Sequence, residues 1–313
     1  MILNFTNQDY LERALNLSAE PRSISTLRRE DALLLILKDL PLAQIDNLNA
    51  LTLETGVNLA NRDSLNRDEK KRVYDCAISL LNNSNLLGNE VINGTINTSA
   101  WISHCLWAGR LCAFLAKEMG LDSEQAEVIG MLHDYGRKVT HTIEHVTKGF
   151  EMLSDMGYGQ EALGCLTHSF VNGGRCASNE TAEEGFYISP EGNPCWKDGA
   201  IKDNITLFLE SYTYDDYDRI LNLADLMASS FGVLSPYNRI LDIATRRTID
   251  PTNRGYFLTE LISLLAYIAD KTNMSCDLSK YADIRFSAKK QTDEMTEMLK
   301  EVSAEFFDHL NFY

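Results

Sequence analysis

The chain has 313 residues, of which 44% are hydrophobic and 24% charged, with a formal net charge of −16. That length can hold one large core or two smaller domains, in the composition of an ordinary globular protein. The charge argues against long nucleic acid and anionic membranes as partners, because phosphate binding needs clustered Lys and Arg.

The acidic excess is uneven. Residues 1–95 carry 13 acidic and 10 basic side chains, which leaves 32 and 19 for residues 96–313. Helical periodicity dominates throughout, so the expected fold is all-α. The start, Met1-Ile-Leu-Asn-Phe-Thr6, lacks a basic segment followed by an apolar run, and no stretch approaches membrane-spanning length. A cytoplasmic protein is expected.

Residues 1–95 read as an N-terminal helical region, with a soft boundary before a second part at 96–313. Ser25 or Thr26 can cap a helix carrying Ala32–Leu37, and Pro41 ends or redirects it. A second helix is expected over Ala43–Leu53. A third, Asp68–Leu81, puts Val73, Cys76, Ala77, Leu80 and Leu81 on one face. No catalytic motif lies here, so the region reads as a packing or homodimerisation layer, with a ligand sensor as the alternative.

The strongest predicted helix is 98–119, capped by Asn97 or Thr98 and stopped at Gly120. His104, Ala108, Leu111 and Leu115 share one of its faces. The next helix opens at Asp122 or Ser123 and runs to His133-Asp134. Ala126, Ile129 and His133 continue an apolar stripe there, so Asp134 enters an environment that demands a cation or strong donors. A helix is expected over His141–Met156. At 100° per residue His145 lies about 120° from its stripe centre and His141 about 160°, which favours His145 as an inward donor. Gly159–Phe170 carries His168. The segment Asn172–Gly199 is rich in Gly and Pro and reads as a lid or a mobile insertion, with Arg175 and Lys197 as its anion-facing cations. Helices follow at Ile201–Tyr212, around Asp225 in the apolar run Ile220–Ala228, at Asn238–Arg247, at Tyr256–Thr272 and at Ser287–His309. The acidic side chains of the last read as a solvated face. The seven cysteines include no C-x-x-C pair, which points away from a zinc ribbon or disulfide scaffold and toward a reducing compartment.

The ordered set is Leu132-His-Asp-x-Gly136, His145-x-x-x-Gly149 and Leu223-Ala-Asp-Leu226, with His104 before it and His168 within it. It resembles the HD metallohydrolase superfamily. The resemblance spans about His104 to Met227 and implies a helical HD-domain core. It implies one metal held by His104, His133, Asp134 and Asp225, and a second held by His145, His168 and a bridging Asp134. Two divalent ions are therefore expected, with iron or manganese favoured and nickel, cobalt, magnesium or zinc as alternatives. Many relatives carry lysine directly after the glycine, whereas here Arg137 precedes Lys138. His168 is followed by Ser169, and no Gly-Tyr-Pro signature follows. The resemblance implies a phosphohydrolase acting on a small phosphorylated or nucleotide substrate, with Asp134 in the machinery. Arg137, Lys138 or Lys148 would neutralise charge on phosphate. A di-iron oxygenase and a non-catalytic metal or nucleotide sensor use the same ligand types.

Overall fold

A computed structural model describes residues 3–22, 27–38, 46–82, 100–173, 186–188, 194–197, 202–246, 251–272, 274, 276–281 and 292–312. Thirteen α-helices run through these residues, joined by short 3₁₀ turns. The described strands form two small antiparallel hairpins, β1 (Phe186–Ile188) with β2 (Pro194–Trp196) and β3 (Ala228–Ser229) with β4 (Gly232–Val233). The fold is therefore all-α, as the periodicity predicts.

The centre of the core is a helix pair, α5 (Ala100–Glu118) and α6 (Ser123–Leu132). α5 buries residues on all sides, from Trp101 to Ala116. Two glycines let the pair cross at backbone contact. A Cβ on Gly130 would lie 2.7 Å from the Gly109 Cα and 3.0 Å from the Ala108 carbonyl oxygen. Asp122 caps α6 by accepting from the Glu124 and Gln125 N–H groups at 2.9 and 3.0 Å. Around this pair stand α7 (His145–Asp155), α8 (Gly159–Thr167) and α10 (Asp216–Met227). The last of these opens with a reciprocal capping box between Asp215 and Asp218. α12 (Pro251–Lys271) and α13 (Thr292–His309) pack on one another farther along the chain. In α13, Met295, Leu299, Val302 and Phe306 are buried while Asp293, Glu294, Glu297 and Glu301 are exposed, matching the expected solvated acidic face.

The N-terminal helices join the same core. α1 (Gln8–Ser18) lies against α8 and α9 (Asn204–Ser211), and α2 (Arg29–Leu37) lies against α6. Polar ties reinforce this docking. The Leu3 N–H donates to Asp203 at 2.8 Å, the Thr6 hydroxyl to Glu151 at 2.6 Å and the Tyr10 hydroxyl to Asp155 at 2.7 Å. Arg22 is buried between Asp215 and Asp218, at 2.9 and 2.7 Å. An ion pair this buried is costly to break from one side, on the order of 3–5 kcal/mol.

Several element ends differ from the periodic reading. α1 is an extra helix, and α12 begins at Pro251, a residue suited to the first helical turn. Residues 141–144 form a turn rather than the first turn of a helix, and α7 starts at His145. The Thr140 and Thr142 hydroxyls bond to each other and to nearby N–H groups, a local alternative to helical bonding. The caps assigned to Ser25, Thr26, Asn97 and Thr98, and the stop at Pro41, lie outside the described residues. So does most of Asn172–Gly199, including Arg175. Of that segment, the β1–β2 hairpin lies beside α12, and Lys197 is exposed. No described helix is long and apolar enough to cross a membrane.

Candidate metal centre

Six side chains that are scattered over more than a hundred residues of sequence meet at one point. His104 sits inside α5. His133 caps the C-terminus of α6, and Asp134 opens the 3₁₀ turn Tyr135–Lys138. His145 is the first residue of α7, and His168 caps the C-terminus of α8. Asp225 lies in the last turn of α10. The turn after Asp134 is packed without slack, since a Cβ on Gly136 would lie 2.0 Å from the His145 carbonyl oxygen and 2.7 Å from the Gly149 nitrogen. Gly149 therefore admits the Gly136 backbone, and this contact holds the Asp134 turn against the start of α7.

The donors fall into two pairs around Asp134. In one, the His104 and His133 Nε2 atoms are 3.1 Å apart, and the Asp225 Oδ1 lies 3.0 and 3.5 Å from them. In the other, the His145 and His168 Nε2 atoms are 3.1 Å apart. Asp134 divides its oxygens between the pairs. Its Oδ1 lies 3.0 Å from His145 and 3.5 Å from His168, and its Oδ2 lies 3.8 Å from His133 and 3.9 Å from His104. Three overlapping groups, His104/His133/Asp134, His133/His168/Asp225 and Asp134/His145/His168, are each tight enough to hold an ion.

The tautomers follow from the outer contacts. The Nδ1 of His104 faces the Ala228 carbonyl at 3.3 Å, that of His133 the Gly130 carbonyl at 2.6 Å, that of His145 the Thr142 carbonyl at 2.6 Å and that of His168 the Cys165 carbonyl at 2.9 Å. A carbonyl oxygen only accepts, so each Nδ1 carries a hydrogen and each Nε2 is the ring nitrogen turned inward. Two pairs of lone pairs at 3.1 Å repel unless a proton or cation lies between them. The Asp134 Oδ1 is also buried without a hydrogen-bond donor. Buried acceptors converging without donors fit a divalent cation, and the backbone carbonyls behind the rings are the outer contacts that fix metal-binding imidazoles.

Electrostatics prepare the same donors. Burial and the neighbouring His133 push the His168 imidazole down to about 3. Burial also lowers His104, against the pull of Asp225. Burial would raise the Asp134 carboxyl, but Arg137, His145 and His133 outweigh it and hold the group well below the usual carboxylate range. Asp225 is held low in the same way by His104 and His133. At neutral pH the set therefore presents ionised carboxylates beside unprotonated His104 and His168. The buried thiols Cys105 and Cys165 are pushed up by burial and stay protonated, so they are poor ligands.

The cations divide. Arg137 is in the cluster, with its Nε 3.1 Å from Asp134 Oδ2 and its Nη1 donating to the His141 carbonyl at 3.0 Å. The Lys138 ammonium instead donates to the Leu35 carbonyl at 3.0 Å and lies over the Tyr135 ring, tying the turn to α2. Lys148 bonds Glu151 at 3.0 Å and also Thr6, fastening the segment before α1 to α7. The His141 side chain is exposed, while its carbonyl holds Arg137.

Residues 101–171 match the HD domain family. This chain carries an HD domain. Asp225, which closes the donor set, lies beyond the matched residues. Within the HD domain region the chain is 38% identical over 75 residues to Ribonuclease Y of Protochlamydia amoebophila, which is 22% of this chain and 14% of that protein. It is 33% identical over 64 residues to Ribonuclease Y of Nitratidesulfovibrio vulgaris strain DP4, covering 20% and 12%. It is 42% identical over 53 residues to Ribonuclease Y of Lactobacillus gasseri, covering 16% and 10%. The chain thus spans at most about one seventh of the length of these relatives. No solved structure matches it significantly.

Sequence reasoning missed the residues that hold the α8 terminus in place. Asn222 donates to the Thr167 and His168 carbonyls at 2.9 and 3.0 Å, and the Tyr214 hydroxyl lies 2.9 Å from the Thr167 carbonyl. The available signal was a lone amide one helical turn before Asp225 in an otherwise apolar run.

Proposed function

We propose that the chain is an HD-type metal-dependent phosphohydrolase that acts on a small phosphorylated or nucleotide substrate through a two-metal site. The carrying observation is the placement of Asp134, whose two oxygens face two separate imidazole pairs. In this reading His104, His133, Asp134 and Asp225 hold one divalent ion, and His145, His168 and the second oxygen of Asp134 hold the other. Bound metals of this kind supply Lewis acidity and hydroxide at neutral pH.

The chain's own residues supply the rest. Arg137 keeps Asp134 ionised and oriented, and its positive charge stands where negative charge develops on a phosphoryl group. The side chain of Asp225 is 22% exposed, against 6% for Asp134 and at most 11% for the four histidines, so substrate approaches from the Asp225 side. The other five donors are buried, which keeps bulk water from them and strengthens these charge interactions.

Two observations support hydrolysis of a phosphate ester. The HD domain similarity is to proteins named ribonucleases, whose bond of interest is a phosphodiester. The donor set also contains only imidazole and carboxylate, which suits hard divalent ions. The net charge of −16 favours a small substrate over a long RNA. The test is a phosphatase, phosphodiesterase and nucleotide screen under strict anaerobiosis with manganese or iron(II) supplied. Turnover without oxygen is expected. Turnover only in air, with an oxygen atom from O₂ in the product, would instead make the protein an oxygenase.

A further inference from the structure

Three polar residues of α10 line one face of the helix, apart from Asp216 and Arg219 near its start. Asp218, Asn222 and Asp225 fall at i, i+4 and i+7, so they share one face. Asp225 meets His104 and His133. Asp218 accepts from the Thr167 hydroxyl at 2.9 Å. Asn222 lies between them and is fully buried.

Both ends of the Asn222 amide bond to residues around His168. Its Nδ2 donates to the Thr167 carbonyl at 2.9 Å and the His168 carbonyl at 3.0 Å. Its Oδ1 accepts from the Asn172 N–H at 3.2 Å. These partners settle the amide orientation, because carbonyls only accept and an N–H only donates. The position is a demanding one for the backbone. α8 ends at Thr167, so the Thr167 and His168 carbonyls take their donors from beyond the helix. Asn172, which closes the turn, has a φ of 51°, in the left-handed region. A side chain from a distant helix thus caps the terminus that presents His168.

We infer that Asn222 is a positioning residue for His168, coupling the Asp225 half of the centre to the half that holds the second ion. The inference rests on the two-metal reading. Asp225 and Asn222 are carried by one rigid helix turn, so the spacing of His168 from the His104/His133/Asp225 group is set by α10. Loss of the amide removes this donor from the His168 carbonyl, while the Thr167 carbonyl keeps the Tyr214 hydroxyl and the Phe170 N–H, so the backbone loosens at His168 itself, where the imidazole must hold its angle. Outer contacts of this kind change metal affinity about 10–100-fold when removed.

The test begins with wild-type protein, by counting manganese ions bound per chain in anaerobic titration. A single ion per chain would overturn the two-metal reading, and the coupling with it. With two ions bound, Asn222→Ala should weaken the second by about 10–100-fold and leave the first near its wild-type affinity. Leu299→Ala, in α13, lowers stability without touching α8 and should leave both affinities unchanged. Asn222→Ala binding both ions as wild type does, at a lower Tm, would reduce Asn222 to a structural residue and overturn the inference. Should Asn222→Ala not fold, hydrogen exchange in wild-type protein decides. The Asn172 amide should gain protection when the second equivalent of manganese binds, and unchanged protection would contradict the coupling.

Discussion

The two halves of the metal centre are built differently. In the half formed by His104, His133 and Asp225, two of the three donors lie inside helices, and the helices that carry the histidines cross at glycine-to-glycine contact. In the half formed by His145 and His168, both histidines sit at helix ends, where the backbone has unpaired groups and must be held from elsewhere. Asp134 stands between them on a tight turn. A site can thus combine one half set by helix packing with one half set by caps and turns, and the second should be the more easily lost.

The comparison breaks most completely at Asp134. Asp134→Ala should lose both ions and much stability, because it removes the shared carboxylate and leaves Arg137 and the buried imidazoles without their anion. Metal analysis and thermal melting would register this, and retention of a tightly held ion would show that the halves are independent.

His145→Ala and His168→Ala come next. Each should leave about one ion per chain, since the helix-set half keeps its donors. Equal retention of two ions in both variants would remove the second half from the account.

Gly136→Ala sharpens the comparison from the backbone side. The added Cβ would meet the His145 carbonyl at 2.0 Å, so the turn and the start of α7 must separate. The expected stability loss is at least about 1–3 kcal/mol by chemical denaturation, with the second ion weakened more than the first. An unperturbed second ion would mean that His145 does not depend on this contact.

The smallest effect is expected at His141. Its side chain is exposed, and its link to the site is a backbone carbonyl that any residue supplies. His141→Ala should leave two ions bound and change their affinity by about 10-fold at most. Loss of an ion in this variant, with retention in His145→Ala, would exchange the roles of the two histidines.

The legible parts of the molecule were those written in local patterns. The all-round burial of α5, the cap at Asp122 and the stop at Gly120, whose φ is 73°, all follow from near neighbours in sequence. The six site residues come together as their order suggests. His145 reaches the centre for a different reason from the angular one. It begins a helix after a threonine-bonded turn, so angles counted along a helix from His141 do not apply. Arg137 and Lys138 are adjacent and chemically alike, and only the 3₁₀ turn sends one to Asp134 and the other to Leu35. Arg22 and Asn222 were illegible because their partners lie far away in sequence. No periodicity signals a buried arginine that meets Asp218, or an amide that caps a helix ending at Thr167.

The central claim is that one carboxylate, Asp134, serves two ions in a hydrolytic centre. The most direct measurement is an anaerobic titration of metal-free protein with manganese, with hydrolysis of a chromogenic phosphodiester recorded at each addition. The account predicts that activity stays low through the first equivalent and rises to its plateau with the second. Activity that saturates at one equivalent would contradict it.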